Sequence, residues 1–220
     1  MKRALDNNIK KGMKFMEKKS LVIGREFGSG GYDIAKRLAD ELGYKFYDKE
    51  IVELAAKKGN FNEEAVKKMD ENAKGSFLYS IAMGNYSVGT LGGPIYYDIP
   101  INDRLFLAQS EIIKEHAEEG PCIFVGRCAD YVLKNAEIPH LSVFLCANMD
   151  YKVKRVAERL GITEQKAKDK IIKTEKQRRS YYDYYTNGTW GQMKNYDLCL
   201  NTAVLGQDMC HDLIKKALCE

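Results

Sequence analysis

Gly28, Gly30 and Gly31 crowd together where an apolar run beginning at Leu21 gives way to the helical pattern YDIAKRLADEL. Glycines in such a turn can take positive φ and let backbone N–H groups approach a ligand closely, while a helix starting there adds its unpaired N–H groups and positive dipole end. That is the chemistry of phosphate binding, with a nucleotide phosphate as the natural occupant. The pattern G-x-x-x-x-G-K-[ST] is nevertheless incomplete, because Gly31 and Tyr32 stand where its lysine and metal-binding hydroxyl belong. Arg25 takes the place of the pattern's first glycine. Its long planar fork can return across the loop and supply the absent charge, or it can pair with Glu26 or Asp48 at the sheet edge. In the first case, lysine at position 31 in an Arg25→Ala background should restore part of the loss.

A polyphosphate held at this turn brings several negative charges that must be met from elsewhere in the fold. Residues 150–179 supply candidates, with eleven Lys or Arg against five acids, among them Arg155, Arg159, Arg178 and Arg179. The segment reads as two helices broken at Gly161, the second capped by Thr163. Arg178 and Arg179 are adjacent and cannot share a helix face, so one of them is expected to reach phosphate. Tyr181, Tyr182, Tyr184 and Tyr185 can stack on a base or pack the hairpin against the core. Asp33 can approach magnesium, directly or through water, or can simply favour the start of its helix. His116, His140 and His211 show no ligand spacing and read as structural, and no nucleophile–base pair is visible.

Short β-like runs at 20–24, 45–47, 122–126, 141–146 and 196–201 alternate with helical patterns at about 31–42, 49–58, 62–73, 102–119, 127–134, 149–160, 163–181 and 206–218. This order predicts an α/β fold with a parallel sheet covered on both faces. The irregular stretch 75–100, rich in Gly and Tyr, is too long for an ordinary connection and is expected to border the site. Residues 1–20 carry a net charge of +5 within a chain of +4, and residues 1–19 read as a basic N-terminal arm. No signal peptide or membrane-length apolar run is present, and six cysteines without a C-x-x-C pair suit a reduced, cytoplasmic protein.

The order of these pieces resembles the nucleoside monophosphate kinases, and most closely the cytidylate kinase-like proteins. The segments that carry the resemblance are IGREFGSGGYDIAKRLADELG, FYDKEI, DRLFLAQSEII, VGRCADYVL, FLCANMDYKVKR, EKQRRSYYDYYT and NYDLCLNT, in that order over residues 20–218. The resemblance implies a P-loop kinase-like three-layer fold over 20–220 with a five-stranded parallel sheet, an acceptor-side region at about 60–105 and a helical lid at about 150–185. It implies ATP with magnesium as donor, nucleotide substrates, and neither a membrane nor a specific nucleic acid as partner. By residue, it implies that Gly28, Ser29, Gly30, Gly31 and Tyr32 form the phosphate loop, with Arg155 and Arg159 joining them on the donor. Asp48, Arg104, Arg127 and Asp130 fall on the acceptor side, and Arg25, Arg127, Arg178 and Arg179 are the cations expected to serve transfer. Asp33 is the one candidate metal ligand. Cys128 stands where the family's G-R-D motif has aspartate, with Asp130 two positions later. Asp48 can equally cap the helix that follows it. The rival reading is a nucleotide-binding protein that regulates and does not transfer.

Overall fold

The structure, a computed structural model, describes residues 19–59 and 101–219. The expected helix at 62–73, the irregular stretch 75–100 and the basic arm up to residue 18 lie outside the described residues. Two compact units are formed, one by the chain up to Asp48 together with the chain from His116 onward, the other by Lys49–Glu115.

The first unit is built on β1 (Ser20–Arg25), α1 (Gly31–Leu42) and β2 (Lys45–Tyr47). In the second unit, α2 (Glu50–Lys58) is followed by α3 (Ile101–Glu119), whose last turn belongs to the first unit. The first unit continues with β3 (Cys122–Val125), α4 (Ala129–Asn135), β4 (His140–Cys146), α5 (Met149–Leu160), α6 (Glu164–Thr186), β5 (Leu198–Asn201) and α7 (Thr202–Cys219). The five strands lie in the order β2-β3-β1-β4-β5 and every pairing is parallel. Leu21 on β1 sits beside Ile123 and Leu141, so the 122–126 strand neighbours the first, as right-handed crossovers require.

The strands are apolar on both faces because both faces are covered. Leu21, Ile23, Ile123, Val125, Val143, Leu145 and Leu200 form one buried surface against Ile34, Ala35 and Leu38 of α1 and Cys210, Ile214 and Leu218 of α7. Phe144, of opposite parity on β4, meets the edge of Trp190 at 5.3 Å and the ring of Tyr196 at 4.9 Å. In the second unit, Val52 and Ala56 of α2 pack with Leu105 of α3, and Lys58 pairs with Glu111 and Glu115.

Several boundaries differ from the sequence reading, among them those of the last strand and the last two helices. The last strand begins at Leu198 and not at Tyr196, because Met193–Asn195 winds into a 3-10 turn. Asp197 then accepts the N–H and the hydroxyl of Ser142 at 2.8 and 2.7 Å. Helix α6 runs to Thr186, beyond the expected 181, and stops where Asn187 turns left-handed at φ 51°. Helix α7 starts at Thr202 and is broken at Gly206 (φ 77°, ψ 162°), the residue at which a helix was expected to begin.

Candidate active site

Strand β1 delivers its carboxyl end into the glycine turn, where open α/β sheets bind ligands. Gly28 and Gly30 take φ of 92° and 85°, the left-handed region that a side chain would strain. Space adds a second requirement, since a Cβ on Gly28 would stand 2.8 Å from Val156 Cγ2 of α5. Gly30 is the N-cap of α1 and brings no side-chain cap to the first-turn N–H groups. Ser29 faces inward: fully buried, it donates its hydroxyl to the Glu26 carbonyl at 3.0 Å, and its own carbonyl accepts Thr202 Oγ1 at 2.7 Å. Its N–H also goes to Glu26 O, at 3.4 Å. Ser29 therefore braces the turn with all of its polar groups, whereas the sequence reading gave its N–H to phosphate.

Arg25 accounts for the glycine in the lysine position. A Cβ on Gly31 would lie 2.8 Å from Arg25 Cβ and 3.3 Å from its Cγ. At its far end the Arg25 guanidinium meets Asp48 at 3.2 Å and fills the space beside Gly126, where a Cβ would fall 2.0 Å from Nη1. Of the two alternatives for Arg25, the structure shows the pairing with Asp48, the side chain starting beside Gly31 and ending on that carboxylate. Arg178 Nη1 donates to the Arg25 carbonyl at 2.8 Å.

Gly126, Arg127 and Cys128 follow β3 with φ of 75°, 60° and 56°. Two of these left-handed residues carry side chains, each at a cost of about 1–2 kcal/mol. The turn is held by Gly126 N–H to Ile23 O at 3.0 Å and Ala129 N–H to Gly126 O at 3.1 Å. It brings Arg127 close enough to repel both Arg25 and Arg178. Burial pushes Arg25 down to about 10, opposed by Asp48 and reinforced by Arg127. Burial and the charge of Arg25 push Arg178 down to about 9. Arg25, Arg127 and Arg178 thus lie within electrostatic reach of one another, with Asp48 facing Arg25 and both Asp48 and Glu175 facing Arg178.

Helix α5 presents Lys152, Arg155 and Arg159 at i, i+3 and i+7, one helical stripe turned to the loop. Lys152, only 4% exposed, holds Glu26 at 2.9 Å and Glu175 of α6 at 2.8 Å. Glu26 also accepts the Ala147 N–H at 3.0 Å. Arg155 is paired with Asp33, so the carboxylate expected to approach magnesium is engaged by a cation. Arg159 and Arg178 lie 5.7 and 5.6 Å from the centre of the Phe27 ring. Val153 and Val156 pack with Ala167 and Ile171 of α6, and Phe27 joins this cluster. Arg178 thus turns inward while Arg179 is exposed. Phe27, Lys152 and Glu175 were not singled out from the sequence, and Glu26, named there as a possible partner of Arg25, is held by Lys152 instead.

The remaining candidates are dispersed. Tyr32, 44% exposed, sets its ring edge-on to Phe46 at 5.5 Å. Asp130 is 7% exposed and accepts the Tyr182 hydroxyl at 2.7 Å, which ties α4 to the foot of α6 and keeps this carboxylate inside the protein. Burial raises its pKa above the ordinary carboxylate range, against the hydrogen bond from Tyr182. Arg104 belongs to the second unit, on α3. Tyr184 and Tyr185 contact each other edge-on, as do Tyr181 and Tyr185. His116 stacks on Tyr47, His140 Nδ1 lies 2.8 Å from Ile138 O, and His211 is buried beside Glu41 and Asp212.

A five-stranded parallel sheet flanked by helices, with a glycine turn after its central strand and a helical hairpin packed on that turn, defines a P-loop kinase-like fold. The chain belongs to the cytidylate kinase-like family, whose sequence profile matches residues 21–204. A cytidylate kinase from Methanopyrus kandleri is 27% identical over 207 residues, covering 90% of this chain and 92% of its own length. One from Thermococcus kodakarensis is 36% identical over 104 residues, 47% of this chain and 52% of the relative. Among solved structures, an uncharacterized protein from Eubacterium ventriosum superposes with a TM-score of 0.65 at 27% identity, covering 91% of this chain and 98% of that one.

Proposed function

We propose that this protein transfers a phosphoryl group from ATP to a nucleoside monophosphate of the (d)CMP kind or to another small phosphate-bearing acceptor. The observation that carries this reading is the close approach of Arg25, Arg127 and Arg178, with Asp48 facing the first and the last. A chain that only bound a nucleotide would need fewer clustered cations. The naming of relatives as cytidylate kinases supports the acceptor class.

In this reading the α1 N-terminus and the N–H groups of the glycine turn receive the donor phosphates. Arg127, raised on its left-handed turn, holds the acceptor phosphate, and Arg25 and Arg178 stabilise the charge spread over the transferred group. Transfer of this kind rests on in-line positioning and charge neutralisation, so no side-chain base is needed. Tyr32 and Asp33 do not fit as protein ligands for magnesium, the one packed on Phe46 and the other paired with Arg155. Magnesium then reaches the reaction as the counter-ion of the triphosphate.

Turnover of ATP against a panel of monophosphates tests the proposal. Wild type should phosphorylate at least one pyrimidine monophosphate, and Arg25→Ala should lower kcat by about 10²–10³, the scale of one preorganised donor. The regulatory reading is favoured by Gly31 in the lysine position. Nucleotide binding without transfer to any acceptor, unchanged in Arg25→Ala, would establish it instead.

A further inference from the structure

In phosphate-loop sites a divalent cation accompanying the triphosphate is commonly held by a hydroxyl after the lysine and by a nearby carboxylate. Here the hydroxyl position carries Tyr32, whose ring lies edge-on to Phe46 at 87°. The carboxylates of the loop, of the first turn of α1 and of the end of β2 are all bonded to side-chain cations. Glu26 is held by Lys152, Asp33 by Arg155 and Asp48 by Arg25. Among the described residues no group of three His, Cys, Asp or Glu could hold a metal ion. A cation entering the loop would have to share each carboxylate it used with a lysine or an arginine.

The same region is rich in guanidinium. Arg25, Arg127 and Arg178 repel one another, with Asp48 facing Arg25 and Arg178, and Arg159 lies with Arg178 over Phe27. The two arrangements favour opposite forms of a nucleotide. Carboxylates with open positions favour a polyphosphate that brings magnesium, whereas clustered arginines favour the metal-free form, which carries more negative charge and offers unblocked oxygens to the planar fork. Resting on the reading of this cleft as a nucleotide site, we infer that guanidinium groups take the place of a protein-held divalent cation here. The site therefore binds a metal-free nucleoside di- or triphosphate at least as tightly as its magnesium complex.

Calorimetric titration of the full chain with ADP and with a non-hydrolysable ATP analogue, in excess magnesium and in chelator, tests this without reference to turnover. The metal-free forms should bind within about threefold of the magnesium complexes, or more tightly. Tightening by magnesium of more than about threefold would overturn the inference while leaving the nucleotide site in place. Failure of both forms to bind would overturn the reading of the cleft, and this inference with it. Asp33→Asn gives a second measure. Freeing Arg155 should tighten binding of the metal-free analogue, and a loss of affinity confined to the magnesium-containing titration would make Asp33 a metal ligand and overturn the inference.

Discussion

The side chain of Arg25 begins where a side chain on Gly31 would begin, with its Cβ 2.8 Å from the position that a Cβ at residue 31 would occupy. The turn has room for one side chain at that point, and the chain draws it from the end of β1 instead of from the start of α1.

Gly31→Ala should therefore crowd Arg25 and also Leu145 Cδ1, 3.3 Å away, and cost about 1–3 kcal/mol, read as a lowered melting temperature. Gly31→Lys should fail to rescue Arg25→Ala, contrary to the simplest expectation from the motif, because alanine keeps the Cβ that obstructs it. Arg25→Gly combined with Gly31→Lys removes that contact. The double variant should bind nucleotide more tightly than Arg25→Gly alone, as measured by calorimetry.

Arg178 and Arg179 are neighbours in sequence with different surroundings. Arg178→Ala should weaken binding of a nucleoside triphosphate by about 2–4 kcal/mol, since it removes a partly buried, charge-assisted donor. Arg179→Ala, at an exposed position, should change it by less than about 0.5 kcal/mol. Equal effects in parallel titrations would show that α6 does not discriminate between them.

Lys152 of α5 joins the glycine turn to α6. Lys152→Ala would leave Glu26 and Glu175 facing each other without their shared cation, at an expected cost of about 3 kcal/mol in urea denaturation. Adding Glu175→Gln to that variant should recover part of the loss, because a single carboxylate then remains.

Asp130 makes stability depend on pH. Its folded pKa is raised by burial, so the folded protein binds this proton more tightly than the unfolded chain does. Stability contributed by the protonated form is complete below the unfolded value of about 4 and is lost as pH rises through the folded one. Asp130→Asn keeps an oxygen to accept the Tyr182 hydroxyl and removes the titration. Its melting temperature relative to wild type should therefore increase from pH 4 towards neutrality, and a constant difference would mean that Asp130 is ionised at no cost.

What the sequence made legible was local or periodic. Alternation of apolar strands with helical patterns located all five strands, and the clustered glycines located the turn, because a positive φ demands glycine wherever the chain is read. The rule that adjacent residues cannot share a helix face separated Arg178 from Arg179. Long-range pairing was not legible in this way. Lys152 meets Glu26 from 126 positions away, and nothing in either neighbourhood announces the partner. Phe27 carries no signal of its own in the sequence, and only the fold brings Arg159 of α5 and Arg178 of α6 to its ring. Asp130 was assigned by its place in a motif, yet its direction follows from the consecutive left-handed residues Arg127 and Cys128, a conformation that sequence rarely signals for residues with a side chain.

Trp190 is the single tryptophan of the chain, its backbone N–H donating to Asp183 of α6 and its ring edge-on to Phe144 of β4. An indole seated on the central sheet, its main chain tied to α6, is a built-in optical gauge. Its emission should report any swing of α6 when nucleotide arrives, so that opening and closing can be timed in a stopped-flow cell on unlabelled protein.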